Sequence, residues 1–208
     1  MRRSRERRWS ARTGTNRFIV QSDVYDSFVA KLAQAARQLK VGAGDAEGTQ
    51  LGPMIDEASV EKVEHLVADA LENGGRLIAG GKRHALGGTF FEPTVIADVT
   101  AGMRVTREEF FGQVAPVYRF EKEEEAIAMA NDTEYGLACY FYTGDLGRAF
   151  RVMEGLKYGL IGVNEGLITT PEVPFGGVKE SGLGKEGGHQ GIEDYLDTKY
   201  ACLGGLGL

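Results

Sequence analysis

The sequence predicts an α/β fold, a mostly parallel sheet with flanking helices, and three observations predict it. From Asn16 onward, short apolar runs alternate with longer segments of helical period, the pattern of strand and crossover helix. The 208 residues are 42% hydrophobic and 26% charged, enough apolar material for one sizeable domain with its own core. Thirty glycines mark a chain rich in tight connections.

The first element is RFIVQ, residues 17–21, a short strand. SDVYDSFVAKLAQAARQLK follows with Ser22 or Asp23 as its cap and Val24, Phe28, Leu32, Ala35 and Leu39 on one stripe, which predicts an amphipathic helix. Residues 41–56 read as a surface connection. EASVEKVEHLVADALENGG sets Val60, Val63, Val67 and Leu71 at helical spacing and stops at Asn73, Gly74 and Gly75, a fitting C-terminal cap. RLIAGG is a strand, TFFEPTVIADV an extended segment broken by Pro93, and VAPVYRF another strand. Helices EKEEEAIAMANDT and DLGRAFRVMEGLK then alternate with strands LACYFYT and YGLIGVN, and TKYACLGG closes the chain as a final strand.

Composition excludes several function classes. No apolar run approaches the roughly 18 residues a membrane helix needs, so a soluble, cytoplasmic protein is expected. Cys139 and Cys202 are far apart without a CxxC, and the three histidines do not cluster with them, so neither a disulfide framework nor a metal site is expected. Cys139 sits inside a strand, where burial as a small hydrophobe is the better reading than a nucleophile. Six arginines fall within the first 12 residues, while the chain as a whole carries a net charge of −6. That head could be a nucleic-acid arm, a transit peptide or a product of where the reading frame was opened. It lacks an amphipathic apolar face, and the acidic body repels phosphate, so residues 1–15 are expected to be a disordered or mis-assigned head and no nucleic-acid partner is expected.

The stretch VPFGGVKESGLGKEGG contains G-x-G-x-x-G at Gly182, Gly184 and Gly187. A dinucleotide fingerprint needs a preceding strand, a helix opening within it and an acidic residue about 20 positions on, and none is present. A Walker A motif also fails, because Gly184 and Lys185 are followed by Glu186. The glycines therefore predict a tightly folded loop.

Three segments in order carry a more specific signal. REEFFGQVAPVYRF resembles the E-x-F-G-P segment of the aldehyde dehydrogenase superfamily, and GLIGVNEGLITTPEVPFGGVKESGLGKEGG resembles its VN and PFGG-x-K-x-SG-x-G-[RK]-E segments. EPTV at residues 92–95 and ANDTEYGLA at residues 130–138 join them. The resemblance runs from about Asn16 to the end, and VNEGLITTPEVPFGG with GHQGIEDYLDTKYACLGGL is most similar to succinate-semialdehyde dehydrogenases.

The resemblance implies NAD- or NADP-dependent oxidation of an aldehyde to an acid. In that chemistry a cysteine thiolate attacks the carbonyl, hydride passes to the nicotinamide, and water activated by a glutamate hydrolyses the thioester. It implies that Glu109 accepts hydrogen bonds from the nicotinamide ribose, with Phe111 packed beside it. It also implies that Phe175 lines the aldehyde tunnel, and that Thr169 donates a hydroxyl to the distal carboxylate of a semialdehyde. Read alone, Glu108 and Glu109 would be a solvated pair, and Phe110, Phe111 and Phe175 plain core.

Two departures stand out. Gln113 occupies the position of the family's usual proline, which is expected to loosen a turn. Counting back from Asn16, Arg12 stands where the family places its nucleophilic cysteine. The expectation is the catalytic-domain portion (residues 16–208) of a succinate-semialdehyde-type enzyme whose N-terminal half is lost or left out of the gene model, inactive alone. By the same resemblance the final strand joins a subunit-spanning sheet, so a homo-oligomer, or assembly with full-length dehydrogenase subunits as a non-catalytic pseudoenzyme, is expected.

Overall fold

The computed structural model describes residues 15–205. Contacts divide the chain into two compact units, Met1–Ala126 and Ile127–Leu208.

The first unit is built on a four-stranded sheet in the order β1-β4-β3-β2: β1 (Phe18–Gln21), β2 (Arg76–Ala79), β3 (Thr94–Ala97) and β4 (Val114–Phe120). β1 and β3 each pair with β4 in parallel, Phe18 opposite Val117 and Thr94 opposite Val114, whereas β2 joins β3 antiparallel with a bulge between Leu77 and Ala79. The sheet is thus mostly parallel, as expected, with β2 as an antiparallel edge strand. Every residue of β3 is buried, which suits a central strand of β-branched side chains. β3 starts immediately after Pro93, which has no N–H for a ladder.

The alternation of side chains along β3 separates two faces. Val95 and Ala97 join Ala115, Val117 and the buried face of α1 (Ser22–Arg37) in one apolar cluster. Helix α1 is phased differently from the expected stripe: Tyr25, Val29, Ala33 and Ala36 are buried, Phe28 and Leu32 pack partly, and Val24 and Ala35 face solvent. The reason is Tyr25, whose ring is wholly buried. Its hydroxyl donates to Val117 O at 3.0 Å and accepts from Asp98 N at 2.6 Å, so its polar atom is satisfied inside the core. The expected side-chain cap is also absent. Gln21 holds the N-cap position and Ser22 instead donates its hydroxyl to Phe120 O and Glu121.

Helix α2 (Glu57–Glu72) follows its expected stripe, burying Val60, Val63 and Val67 together with Leu66 and Ala70, while Leu71 is 36% exposed. Asp56 caps it by accepting from Ser59 N at 2.8 Å. The chain leaves α2 through Gly74 at φ +98°, a left-handed exit that favours glycine.

The division between the units falls inside α3 (Glu123–Asn131). The second unit continues with β5 (Tyr135–Gly136), β6 (Ala138–Phe141), α4 (Leu146–Gly155), β7 (Leu160–Val163) and β8 (Val178–Lys179). β6 and β7 pair in parallel, and β5 pairs antiparallel with β8. Asn164 ties β6 to β7 beyond the ladder: its side-chain oxygen accepts from Thr143 N and its nitrogen donates to Thr143 O, both at 2.8 Å. Asn131 does the same between α3 and α4, donating to Gly155 O and accepting from Lys157 N, both at 2.8 Å.

The final strand expected over residues 198–205 is not formed. A strand exists only as part of a ladder, and among the described residues no strand lies alongside this segment. Tyr200 and Leu203 are more than three-quarters exposed.

Candidate functional site

The turn of residues 109–113 joins a 3₁₀ turn (Arg104–Thr106) to β4. Phe110 is buried and anchors the turn in the core. Gly112 presses against α2 so closely that a Cβ there would lie 2.6 Å from Val63 Cγ2. Phe111, between these two anchors, is turned outward: it is 60% exposed at φ +32°. A bulky residue in that region is strained and persists only where its neighbours over-determine it.

The two acidic residues of the turn have different surroundings. Glu108 accepts from Arg104 Nε at 2.7 Å, and that hydrogen bond holds its carboxyl below the usual carboxylate range. The Glu109 carboxylate is exposed and, among the described residues, makes neither hydrogen bond nor ion pair, while its main-chain oxygen accepts from Lys62 Nζ on α2. Lys62 lies 47 residues away in sequence, and nothing local marks it. The turn thus presents one open carboxylate and one open aromatic ring from a fixed backbone. A carboxylate of this kind can accept from two adjacent hydroxyls, and the ring can pack on a flat group. This fits the nicotinamide ribose half of NAD or NADP.

Gln113 does not loosen the turn. Its side chain is buried, its Nε2 donates to Gly52 O at 2.6 Å, and its main-chain oxygen accepts from Thr94 N at 2.8 Å.

In the second unit, Thr169 and Phe175 share the loop that leaves β7. Thr169 is exposed, and the neighbouring Thr170 hydroxyl donates to Glu172, keeping that carboxyl below its ordinary range. Phe175 is half-buried and exchanges main-chain hydrogen bonds with Glu186 at 2.6 and 2.7 Å. It is therefore neither plain core nor fully exposed.

The glycine density of this loop has a packing cause. A Cβ at position 176 would stand 2.4 Å from Gly184 O, and one at position 177 would stand 2.4 Å from Ser181 Cβ. Both loop lysines are spent on carbonyls: Lys179 Nζ donates to Asn131 O and Thr133 O at 3.0 and 2.9 Å, and Lys185 Nζ to Gly177 O at 3.0 Å. They lock the loop and leave no ammonium aimed at a phosphate. An open depression of about 570 Å³ lies between Glu134, Tyr135, Lys179 and Glu180 and includes neither Thr169 nor Phe175.

Cys139 is half-buried in β6 opposite Ile161, and burial pushes its thiol up to about 12. The thiolate is the reactive form, so this thiol is inert at neutral pH. Cys202 is free and exposed. Among the described residues no group of acidic, histidine and cysteine side chains could hold a metal. Arg12 lies outside the described residues. Glu109 and Phe111 thus come together on one turn, and Thr169 and Phe175 on one loop.

With this α/β architecture, the chain belongs to the aldehyde dehydrogenase family, whose model matches residues 12–201. It is 58% identical over 191 residues to the 3-sulfolactaldehyde dehydrogenase of Pseudomonas putida, covering 92% of this chain and 39% of that protein. It is 54% identical over 189 residues to the NADP(+) succinate-semialdehyde dehydrogenase of Escherichia coli K12, covering 91% of this chain and 39% of that one. The crystal structure of succinate-semialdehyde dehydrogenase from Burkholderia pseudomallei superposes with a TM-score of 0.89 at 57% identity, over 91% of this chain and 39% of its own. The chain therefore spans about two fifths of the length of the relatives it matches. No helix among the described residues is long and apolar enough to cross a membrane.

Proposed function

We propose that the chain is the catalytic-domain part of an NAD- or NADP-dependent semialdehyde dehydrogenase acting on succinate semialdehyde or a similar short aldehyde with a distal acid group. The observation that carries this reading is the shared chemistry of the relatives' named substrates. 3-Sulfolactaldehyde, glutarate semialdehyde and succinate semialdehyde each join an aldehyde to an anionic group. Thr169 is exposed, as a residue that hydrogen-bonds such an anion must be, and Phe175 offers a partly open ring for the tunnel. A hydroxyl orients a carboxylate without neutralising it, so the reading also requires an arginine, supplied in the family upstream of the matching region.

In this reading Glu109 accepts from the nicotinamide ribose hydroxyls and Phe111 packs against that half of the cofactor. The bound nicotinamide supplies a hydride acceptor. The chain's own residues bind and orient: Cys139 is held neutral by burial, and position 12, where the resemblance places the nucleophile, is arginine. The chain alone is therefore inactive. The two free thiols suit a reducing compartment such as the cytoplasm. The exposed segment after residue 195, with Tyr200 and Leu203 uncovered, is the part of the molecule that would pair with a second dehydrogenase subunit.

The test is nuclear magnetic resonance titration of the purified chain with succinate semialdehyde and, separately, with butyraldehyde. Thr169 resonances should respond to the acid-bearing aldehyde far more than to the neutral one. An equal response to the two aldehydes defeats the semialdehyde reading. Production of reduced cofactor by the chain alone would defeat the claim of inactivity.

A further inference from the structure

We propose that Gln113 is a positioning residue: its side chain latches the turn that presents Glu109 and Phe111, taking over by a hydrogen bond the restraint that a proline ring would supply through its fixed φ. The proposal rests on the reading of that turn as the nicotinamide-ribose contact. Three observations carry it. The first is geometric: Gln113 Nε2 reaches across 61 residues to Gly52 O at 2.6 Å, and the Gln113 main chain is itself held by Thr94 N at 2.8 Å. The second is burial. Gln113 is only 8% exposed, and its Oε1 finds no hydrogen-bond partner among the described residues. A buried amide with one end unsatisfied is costly to keep, so the other end must hold something in place. The third is the state of the turn itself. Phe111 stands at φ +32° with its ring outward, a conformation that persists only under restraint, and Gln113 adds a third anchor beside Phe110 and Gly112.

The amide orientation is set by its partner, because Gly52 O can only accept. The latch therefore ties the connection of residues 41–56 to the 109–113 turn. Released from it, the turn can relax Phe111 out of its left-handed conformation, and the exposed Glu109 carboxylate moves with it. Among the described residues Gln113 N donates no main-chain hydrogen bond, so a proline at this position removes no donor used there.

The experiment uses the full chain and two variants. Gln113→Met keeps length and bulk but cannot donate, and it also removes the unsatisfied oxygen, so thermal stability should stay close to wild type. Gln113→Pro restores the family residue and serves if Gln113→Met fails to fold. Amide hydrogen exchange, read by mass spectrometry, is the primary measurement. In Gln113→Met, exchange over residues 107–113 and 49–54 should rise about tenfold, with the rest of the first unit unchanged, whereas Gln113→Pro should raise it only over 49–54. Unchanged exchange over 107–113 in Gln113→Met, or an increase spread evenly over the unit, overturns the proposal. A second measurement separates this proposal from the reading beneath it. Reduced nicotinamide mononucleotide is titrated while Glu109 and Phe111 resonances are followed, and Gln113→Met should weaken the response several-fold at unchanged melting temperature. If the wild-type turn ignores the mononucleotide, the ribose reading fails while the exchange result still decides the latch.

Discussion

The two units are held together by different means. Among the described residues, the first contains nearly all of the buried apolar side chains, and Leu160 alone represents the second. Neither α3 nor α4 has a buried residue, and Tyr142, Leu146 and Phe150 are each more than half exposed. The second unit relies instead on polar side chains that bond the main chain (Asn131, Asn164, Lys179 and Lys185) and on glycines that let backbones approach closely. Hydrophobic burial tolerates substitutions of similar volume, whereas a side chain bonded to a specific carbonyl or a glycine under a carbonyl has few substitutes. The ANDTEYGLA, VN and PFGG segments lie in this second unit.

The sharpest way to break this comparison is to truncate one apolar side chain in each unit. Phe91→Ala empties a site with no exposed surface in the first unit and should cost about 3–5 kcal/mol, whereas Leu146→Ala on exposed α4 should change stability by less than about 0.5 kcal/mol. Denaturant melts of both variants check this, and comparable losses would dissolve the distinction.

Adding a methyl group sharpens the comparison within the second unit, between a glycine under a carbonyl and one in open space. Gly159→Ala would put a Cβ 1.9 Å from Gly176 O, so main chain must move, at a cost of about 1–3 kcal/mol, while Gly144→Ala meets nothing within 4 Å. Thermal unfolding should show a clear loss for the first and none for the second. Asn131→Ala leaves Gly155 O and Lys157 N without their partner and should cost about 1–3 kcal/mol, with faster amide exchange confined to the second unit. Even exchange throughout the chain would show that the amide is not a local tie.

The smallest effect is electrostatic. Asp56, Glu64, Glu108 and Glu172 are all held below their ordinary range, chiefly by hydrogen bonds from Ser59, Arg83, Arg104 and Thr170 respectively. A carboxyl whose folded pKa is depressed adds stability that is present above its unfolded value of about 4 and is lost as pH falls through the folded value. Stability should therefore be flat from neutral pH down to about 5 and then decline in acid. All four groups are largely solvated, so each contribution is small. Asp56→Asn should reduce the acid decline slightly, as measured by melting temperature against pH.

Much of the first unit was legible because its pattern is local. The stripe of α2 and the stop at Asn73, Gly74 and Gly75 follow from residues within one turn of each other, and β3 starts where Pro93 says it can. The phase of α1 was not legible. Tyr25 counts as amphipathic by composition and is buried only because Val117 and Asp98, far along the chain, satisfy its hydroxyl. The two-residue strands β5 and β8 have no periodicity to read, and β8 lies within what the glycines mark as loop.

The candidate site divides in the same way. The resemblance, carried by motifs in order along the chain, implied roles for Glu109, Phe111, Thr169 and Phe175. Which way each faces was a tertiary outcome: Phe110 went into the core and Phe111 outward, and Glu108 found Arg104 while Glu109 stayed open. The roles of Lys62 and Gln113 depend on contacts 47 and 61 residues away, and no local pattern encodes such a distance. What the sequence determined by itself was the α/β class, which rests on local period, and the family, which rests on motifs that resemble known ones in order along the chain. The tertiary structure decided the mixed pairing of the sheet, the absence of a ladder for residues 198–205 and the exposure of each site residue. Burial and hydrogen-bond partnership are set by which distant segments meet.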